Sequence, residues 1–106
     1  RPKGRKETRM AYFFVIAHDK PEKSSLVRGT VRGEHLEYWG HYSHMIVTGG
    51  PLLSEENSAK GSAFIMQADD QATIEEVLAD DPYTKAGLFD RVEVLWWKPS
   101  LGDAIS

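Results

Sequence analysis

The sequence predicts an α+β fold, a ferredoxin-like β-α-β-β-α-β domain whose antiparallel sheet carries both helices on one face. Three observations lead there. A continuous aromatic and β-branched run from Met10 to Ala17 reads as a buried strand. Two segments repeat large residues at helical spacing, His35-Tyr38-Trp39-Tyr42 and Ile74-Val77-Leu78. Between them lie two short apolar runs around a polar turn, and the chain closes on an alternating strand. Right-handed crossovers fold that order into a single sheet.

The first strand is expected to end at His18-Asp19-Lys20-Pro21, a loop signal. Glu22–Gly33 is polar, with Gly29 and Gly33 interspersed, and has no clear pattern. The helical pattern starts at Val31, Leu36 borders its aromatic face, and Gly40 weakens the helix by about 1 kcal/mol relative to alanine. Met45–Thr48 reads as a short strand running into a Gly49-Gly50-Pro51 turn. The polar tract Ser54–Gly61 predicts a hairpin loop, with Ser62–Ala68 as the returning strand. Asp69-Asp70 opens the second helix, with Thr73 and Glu76 spaced as a capping box. Pro82 ends it, because the residue before a proline is pushed out of the α region. Arg91–Lys98 alternates Val92, Val94 and Trp96 against Glu93, Leu95 and Trp97. Apolar residues on both sides of Tyr12–Ile16 and Leu95–Trp97 exceed what a solvated sheet face tolerates, so a second copy is expected to cover it, giving a dimeric α+β barrel.

A chain of 106 residues is one domain, placed at residues 10–99 with 100–106 as a weakly patterned C-terminal tail. The absence of cysteine excludes a disulfide framework, thiol catalysis and thiolate metal sites, and fits a reducing, cytoplasmic setting. No apolar run approaches the roughly 18 residues that span a bilayer. Residues 1–9 hold five of the 13 basic side chains and one of the 16 acidic ones, leaving eight basic against 15 acidic in the remainder. An acidic body argues against a nucleic-acid partner. Arg1–Arg9 has no apolar h-region and so is no secretory signal; it reads as a basic disordered extension, or as residues added ahead of a natural start at Met10.

Counting four on from Val77 puts Asp81 on the inward face of the second helix, where a carboxylate is either paired or functional. Near a helix C-terminus it opposes the dipole and needs a compensating partner. The plain alternative is an Asx-type cap on the turn Pro82–Gly87. Tyr83 either packs under that turn or offers its hydroxyl to a ligand. Of the four histidines, His41 and His44 read as surface or capping residues, and His18 beside Asp19 either lines a site or is an ordinary loop histidine. His35 follows Arg32 and opens the aromatic face; its plain reading is a satisfied boundary histidine. Gly49-Gly50-Pro51 lacks the context of a phosphate cradle, and Ser24-Ser25 lacks that of a nucleophile elbow. His41 and His44 hold a metal only if a carboxylate joins them from elsewhere, so neither metal nor cofactor is expected.

Ala17-His18-Asp19-Lys20, Val31-Arg32-x-x-His35-Leu36, Thr48-Gly49-Gly50-Pro51 and Asp81-Pro82-Tyr83 with Ala86-Gly87 together resemble the YciI-like, YCII-related proteins over about residues 10–99. The resemblance implies the same dimeric barrel, and a pocket where a first-helix histidine meets the aspartate of the Asp-Pro-Tyr turn, here His35 and Asp81. Activities in and around the family imply dehydrochlorination of a chlorinated hydroxyhydroquinone or isomerisation of a muconolactone. The chain departs from many members in having His18 where a glutamine is usual, and in its aromatic helix Tyr38, Trp39, Tyr42, which leaves the substrate open.

An aspartate beside an imidazole orients its tautomer and stabilises its protonated form, which makes a general base. The expected function is a small-molecule enzyme, a lyase or isomerase acting on a phenolic or lactone substrate, with His35 as acid/base and Asp81 as its orienting partner. Arg32 is expected to bind an anionic or phenolate oxygen, with His18, Asp19, Gly50, Pro51 and Tyr83 lining the pocket. The alternatives are a non-catalytic small-ligand-binding or regulatory domain, and a cofactorless monooxygenase. The expected partners are a small molecule and a second copy of the chain, not nucleic acid or membrane.

Overall fold

In strand β1, Ala11–Asp19, burial alternates strictly: Phe13, Val15, Ala17 and Asp19 are buried, while Tyr12, Phe14, Ile16 and His18 are half-buried. The computed structural model describes residues 10–103 and Ile105; the extension expected at 1–9 lies outside the described residues. The loop expected at His18–Pro21 is instead the end of β1, and helix α1, Pro21–Gly40, starts at once with its proline in the first turn. This corrects the helix start from Val31 by a full ten residues. The reason is chemical. The inward side of the first half of α1 presents Ser24 and Arg28, both hydrogen-bonded to the buried Asp19, where a search for helical periodicity looks for apolar residues. Gly29 and Gly33 are exposed on α1 with open space around them, so they cost helix propensity without disturbing packing.

A 3₁₀ turn at Ser43–Met45 leads into β2, Ile46–Leu53, so Gly49-Gly50-Pro51 is strand and not turn. β2 is an edge strand, where a proline loses no ladder bond on the open side. Gly49 is required by packing, since a Cβ there would sit 2.4 Å from Phe64 Cδ1. β3, Ala59–Ala68, returns from the hairpin three residues earlier than the expected Ser62. Helix α2, Gln71–Ala79, is capped by Asp70, whose carboxylate accepts from Thr73 N at 2.9 Å and Thr73 Oγ1 at 2.7 Å. Thr73 is therefore the third helical residue, and the Thr73–Glu76 capping box does not form. A one-turn helix α3, Pro82–Lys85, precedes β4, Phe89–Trp97.

The sheet order is β2-β3-β1-β4 with every pairing antiparallel, which is the expected ferredoxin-like topology. Both long helices cover the face of Phe13, Val15 and Met66, where Trp39 from α1 and Ile74, Val77 and Leu78 from α2 complete the core. A second buried cluster, Val27, Tyr83 and Leu88, packs Val27 of α1 against the α3 turn. At the β4 edge of this face Val92 is 40% and Trp96 79% exposed. The reverse face sets Phe14 between Ile65 and Leu95, Ile16 beside Ala63, and Tyr12 beside Trp97. Among the described residues, no helix is long and apolar enough to cross a membrane.

Candidate active site

The segment from Asp81 to Leu88 is one helical turn capped at both ends. Asp81 is the N-cap, Pro82 occupies the first turn, and Gly87 has φ +77, the left-handed conformation that glycine adopts without strain. Leu88 N donates to Tyr83 O and Gly87 N to Thr84 O, the two bonds of a Schellman motif, and Leu88 and Tyr83 share a buried cluster, the apolar contact that often accompanies that motif. Such a turn has little freedom, so it holds both the Asp81 carboxylate and the Tyr83 ring in place.

Asp81 is completely buried, and each of its oxygens accepts. Oδ1 receives Tyr83 N–H at 3.0 Å and lies 2.9 Å from His35 Nδ1, while Oδ2 receives Trp39 Nε1–H at 3.0 Å. Backbone and indole N–H groups only donate, and an ionised Asp81 accepts from all three neighbours. The third donor is then the His35 Nδ1–H, which leaves Nε2 of the neutral ring with a free lone pair. Tyr83 stacks on the imidazole, with centroids 3.8 Å apart and planes at 14°. Ring orientation and tautomer of His35 are thus both set by the one capped turn. The two roles expected of Asp81 hold together: it is an Asx-type cap and it faces a histidine across the helix interface.

Beside this pair lies a second buried carboxylate. Arg28 Nε donates to Asp19 Oδ2 at 2.7 Å and Nη2 to Asp19 Oδ1 at 2.9 Å, a bidentate ion pair. Arg28 Nη2 also donates to Ser62 Oγ at 3.0 Å, and Ser24 Oγ lies 2.6 Å from Asp19 Oδ2. The Arg28 guanidinium carbon is 5.2 Å from the centroid of the Tyr83 ring, which links the two clusters. Burial pushes the Tyr83 hydroxyl above its ordinary pKa, against the opposing pull of the Arg28 and Arg32 charges.

The expected site residues therefore fall into three groups. His35, Asp81 and Tyr83 touch one another, and Asp19 joins them through Arg28. Arg32 is exposed one turn before His35, and Pro51 lies opposite Ser62 in the sheet register. His18 and Gly50 point to the reverse sheet face: His18 Nε2 is 3.1 Å from Arg91 Nη2 and 3.4 Å from Glu93 Oε2. Among the described residues, no group of three or more His, Asp or Glu side chains is placed to hold a metal ion.

The YCII-related domain matches residues 11–98. This chain belongs to the YCII-related family. Among solved structures, the YCII-related chain is similar to the 5-chloro-2-hydroxyhydroquinone dehydrochlorinase TftG of Burkholderia phenoliruptrix AC1100, in complex with 2,5-dihydroxybenzoquinone. The TM-score is 0.76 at 31% identity, covering 84% of this chain and 95% of that one. It also resembles a protein described as an antibiotic biosynthesis monooxygenase from Bacteriodes thetaiotaomicron VPI-5482, with TM-score 0.54 and 12% identity over 87% of this chain and 90% of that one, a likeness of fold alone. No curated protein matches the chain.

Sequence reading missed Arg28, Ser24, Ser62 and the ligating role of Trp39 in this YCII-related domain. One signal was available. Ser24, Arg28, Val31, His35 and Trp39 recur at steps of three and four, a helical stripe visible once polar residues are admitted to it.

Proposed function

We propose that this protein is a small-molecule enzyme in which His35 moves protons and Asp81 holds it in the working tautomer. The observation that carries the reading is the 2.9 Å contact between His35 Nδ1 and a carboxylate buried completely among three donors. Nε2 then serves as base toward a phenol or an acidic C–H, and as acid once protonated, with the charge on Asp81 stabilising the imidazolium. Arg32, exposed beside His35, supplies positive charge for a phenolate or other anionic oxygen.

The favoured chemistry is elimination from a chlorinated hydroquinone, supported by the similarity to a dehydrochlorinase across most of the chain. The step balances without an outside oxidant. Nε2 takes one phenolic proton and returns it to the chlorine-bearing carbon. Loss of a second phenolic proton then lets the ring electron pair expel chloride, so that the hydroquinone becomes a quinone as its C–Cl bond becomes C–H, with net release of HCl. The same proton shuttle without a leaving group isomerises a lactone.

Chloride release from chlorinated hydroxyquinols, followed together with quinone absorption, tests this. Turnover by the wild type and its loss in His35→Gln, with near-normal substrate binding, is the expected result. Saturable binding without chloride release by the wild type would instead support a ligand-binding domain, and oxygen uptake with a phenol would support a monooxygenase.

The working unit in this reading is a homodimer joined through the reverse sheet face. Phe14, Ile16, Ile65, Leu95 and Trp97 sit together there. A Cβ at Gly50 meets nothing within 4 Å, so Gly50→Glu leaves the protomer intact and weakens association. Sedimentation of a stable wild-type monomer at micromolar concentration would overturn the dimer.

A further inference from the structure

Trp39 is a core residue with one polar atom, and that atom faces Asp81. The side chain is buried in the main hydrophobic cluster, yet its indole N–H reaches a carboxylate 42 residues further along the chain. Asp81 Oδ1 is served twice, by Tyr83 N–H at 3.0 Å and by His35 Nδ1 at 2.9 Å, while Oδ2 has Trp39 Nε1–H at 3.0 Å as its sole partner among the described residues. The carboxyl group is completely buried, so bulk solvent does not reach Oδ2 in place of that donor. The indole is itself held in place. The Phe64 ring lies 5.6 Å from it with planes at 34°, and Tyr38 and Tyr42 meet it edge-on at 5.3 and 6.2 Å. Phe64 takes that position over Gly49, where a Cβ would come within 2.4 Å of its Cδ1.

We propose that Trp39 is a positioning residue that decides where the proton of the His35–Asp81 pair resides: its indole N–H holds Oδ2 as an anion, so that Asp81 supports the imidazole and does not compete with it for the proton, and Phe64, admitted by Gly49, keeps the indole on its target. A hydrogen bond to the charged form of an acid favours that form. The two oxygens of a carboxylate are equivalent proton acceptors until donors occupy them. Oδ1 is occupied by two; without the indole N–H, Oδ2 is a buried anionic atom with nothing to compensate it. A proton arriving at the pair then settles on Asp81 as well as on His35 Nε2, and a neutral carboxylic acid beside the ring no longer stabilises the imidazolium. The remaining charged or titratable groups around the pair are Arg28 and Arg32 on α1, Asp19 at the end of β1, and Tyr38, Asp80 and Tyr83. None of their side chains donates to Oδ2 among the described residues. This role rests on the acid/base reading of His35 and names what tunes that base.

The imidazole signals of His35, assigned by their loss in His35→Gln, report the titration of the pair by NMR with no substrate present, and the midpoint belongs to both groups together. Trp39→Phe keeps an aromatic ring and removes the N–H. Taking a donor away from the anion raises the proton affinity of the pair whichever partner receives the proton, so the midpoint is expected to rise by about one to two pH units, the worth of a hydrogen bond to a charged group. An unchanged or lower midpoint would overturn the proposal. Gly49→Ala leaves the indole present and crowds only its support, so a smaller rise is expected; a wild-type midpoint there would strike out the part given to Phe64. Ile74→Val trims the same core without touching a polar atom, and is expected to lower Tm and leave the midpoint where it is. A shift in Ile74→Val equal to that in Trp39→Phe would reduce Trp39 to a packing residue and overturn the proposal. Chloride-release kinetics address the function separately. In Trp39→Phe the acidic limb of kcat/KM is expected to move up with the NMR midpoint; a limb that stays in place while the midpoint moves would remove His35 as the base. A wild type that releases no chloride would defeat the elimination reading, while the NMR midpoints still decide the role of Trp39.

Discussion

Replacing Asp81 by asparagine keeps its shape and removes its charge, and the hydrogen bonds around it set the cost. The carboxylate accepts three bonds on two oxygens, from Tyr83 N, His35 Nδ1 and Trp39 Nε1. An amide has one oxygen. If it takes the Oδ1 position it still accepts from Tyr83 and His35, and its NH₂ then meets the indole N–H donor to donor. In the opposite orientation the NH₂ meets Tyr83 N–H and forces His35 into the other tautomer, which loses more. The first orientation wins, leaving one buried donor unsatisfied at a cost of about 1–3 kcal/mol. For a domain of this size that is roughly 4–24 °C in Tm, at about 4–8 °C per kcal/mol. His35 keeps its orientation but loses the negative charge that stabilises its protonated form, so turnover falls by about 10²–10⁴-fold. Differential scanning calorimetry and chloride-release kinetics on Asp81→Asn measure both. A variant within about a degree of the wild-type Tm and within about twofold of its rate would refute the reasoning at its root.

Three other perturbations probe the surroundings. Asp19→Ala leaves the bidentate Arg28 charge buried without its partner, and chemical denaturation is expected to report a loss of about 3–5 kcal/mol; a loss under 1 kcal/mol would mean that the ion pair is not buried as described. Gly61→Ala drives a Cβ to 2.5 Å from the backbone oxygen of Ala17 and is expected to cost about 1–3 kcal/mol, while Gly33→Ala, in open space on α1, should stabilise slightly, so equal Tm changes would contradict the packing. Tyr38 donates to Val77 O at 2.6 Å, and burial, with help from Tyr42 and Asp80, pushes its hydroxyl up to about 12. Because the folded value lies above the unfolded 10.0, Tyr38 contributes stability in full below about pH 10 and loses it as pH rises toward 12. Tyr38→Phe should therefore flatten the alkaline limb of a stability–pH curve, and an unchanged limb would argue against that origin.

Much of the fold was readable from residue types. The continuous aromatic and β-branched run Met10–Ala17, the alternation in Arg91–Lys98 and the Ile74-Val77-Leu78 stripe reflect single-residue preferences that act over a few residues. The misreadings cluster where a distant residue overrides local preference. Helix α1 was lost over its first ten residues because its inward stripe there carries Ser24 and Arg28, whose burial makes sense only with Asp19 at hand. Gly49-Gly50-Pro51 looked like a turn because glycine and proline usually are one, yet Gly49 is there to admit the Phe64 ring from the next strand. The Thr73–Glu76 box was a correct spacing outcompeted by Asp70, one carboxylate closer to the helix start.

The sequence by itself determined the topology, the stop at Pro82 and the suspicion that a carboxylate at Asp81 needs a partner, since periodicity and backbone restriction are properties of short segments. The family resemblance named His35 as that partner, and only the tertiary structure decided how firmly it is held. His35 and Asp81 are 46 residues apart, and their 2.9 Å contact exists because a Schellman-capped turn and α1 pack on the same side of the sheet. Trp39 and Arg28 became visible on the same footing. Burial and hydrogen-bond satisfaction are set by everything that surrounds a group, and no window along the chain contains that information.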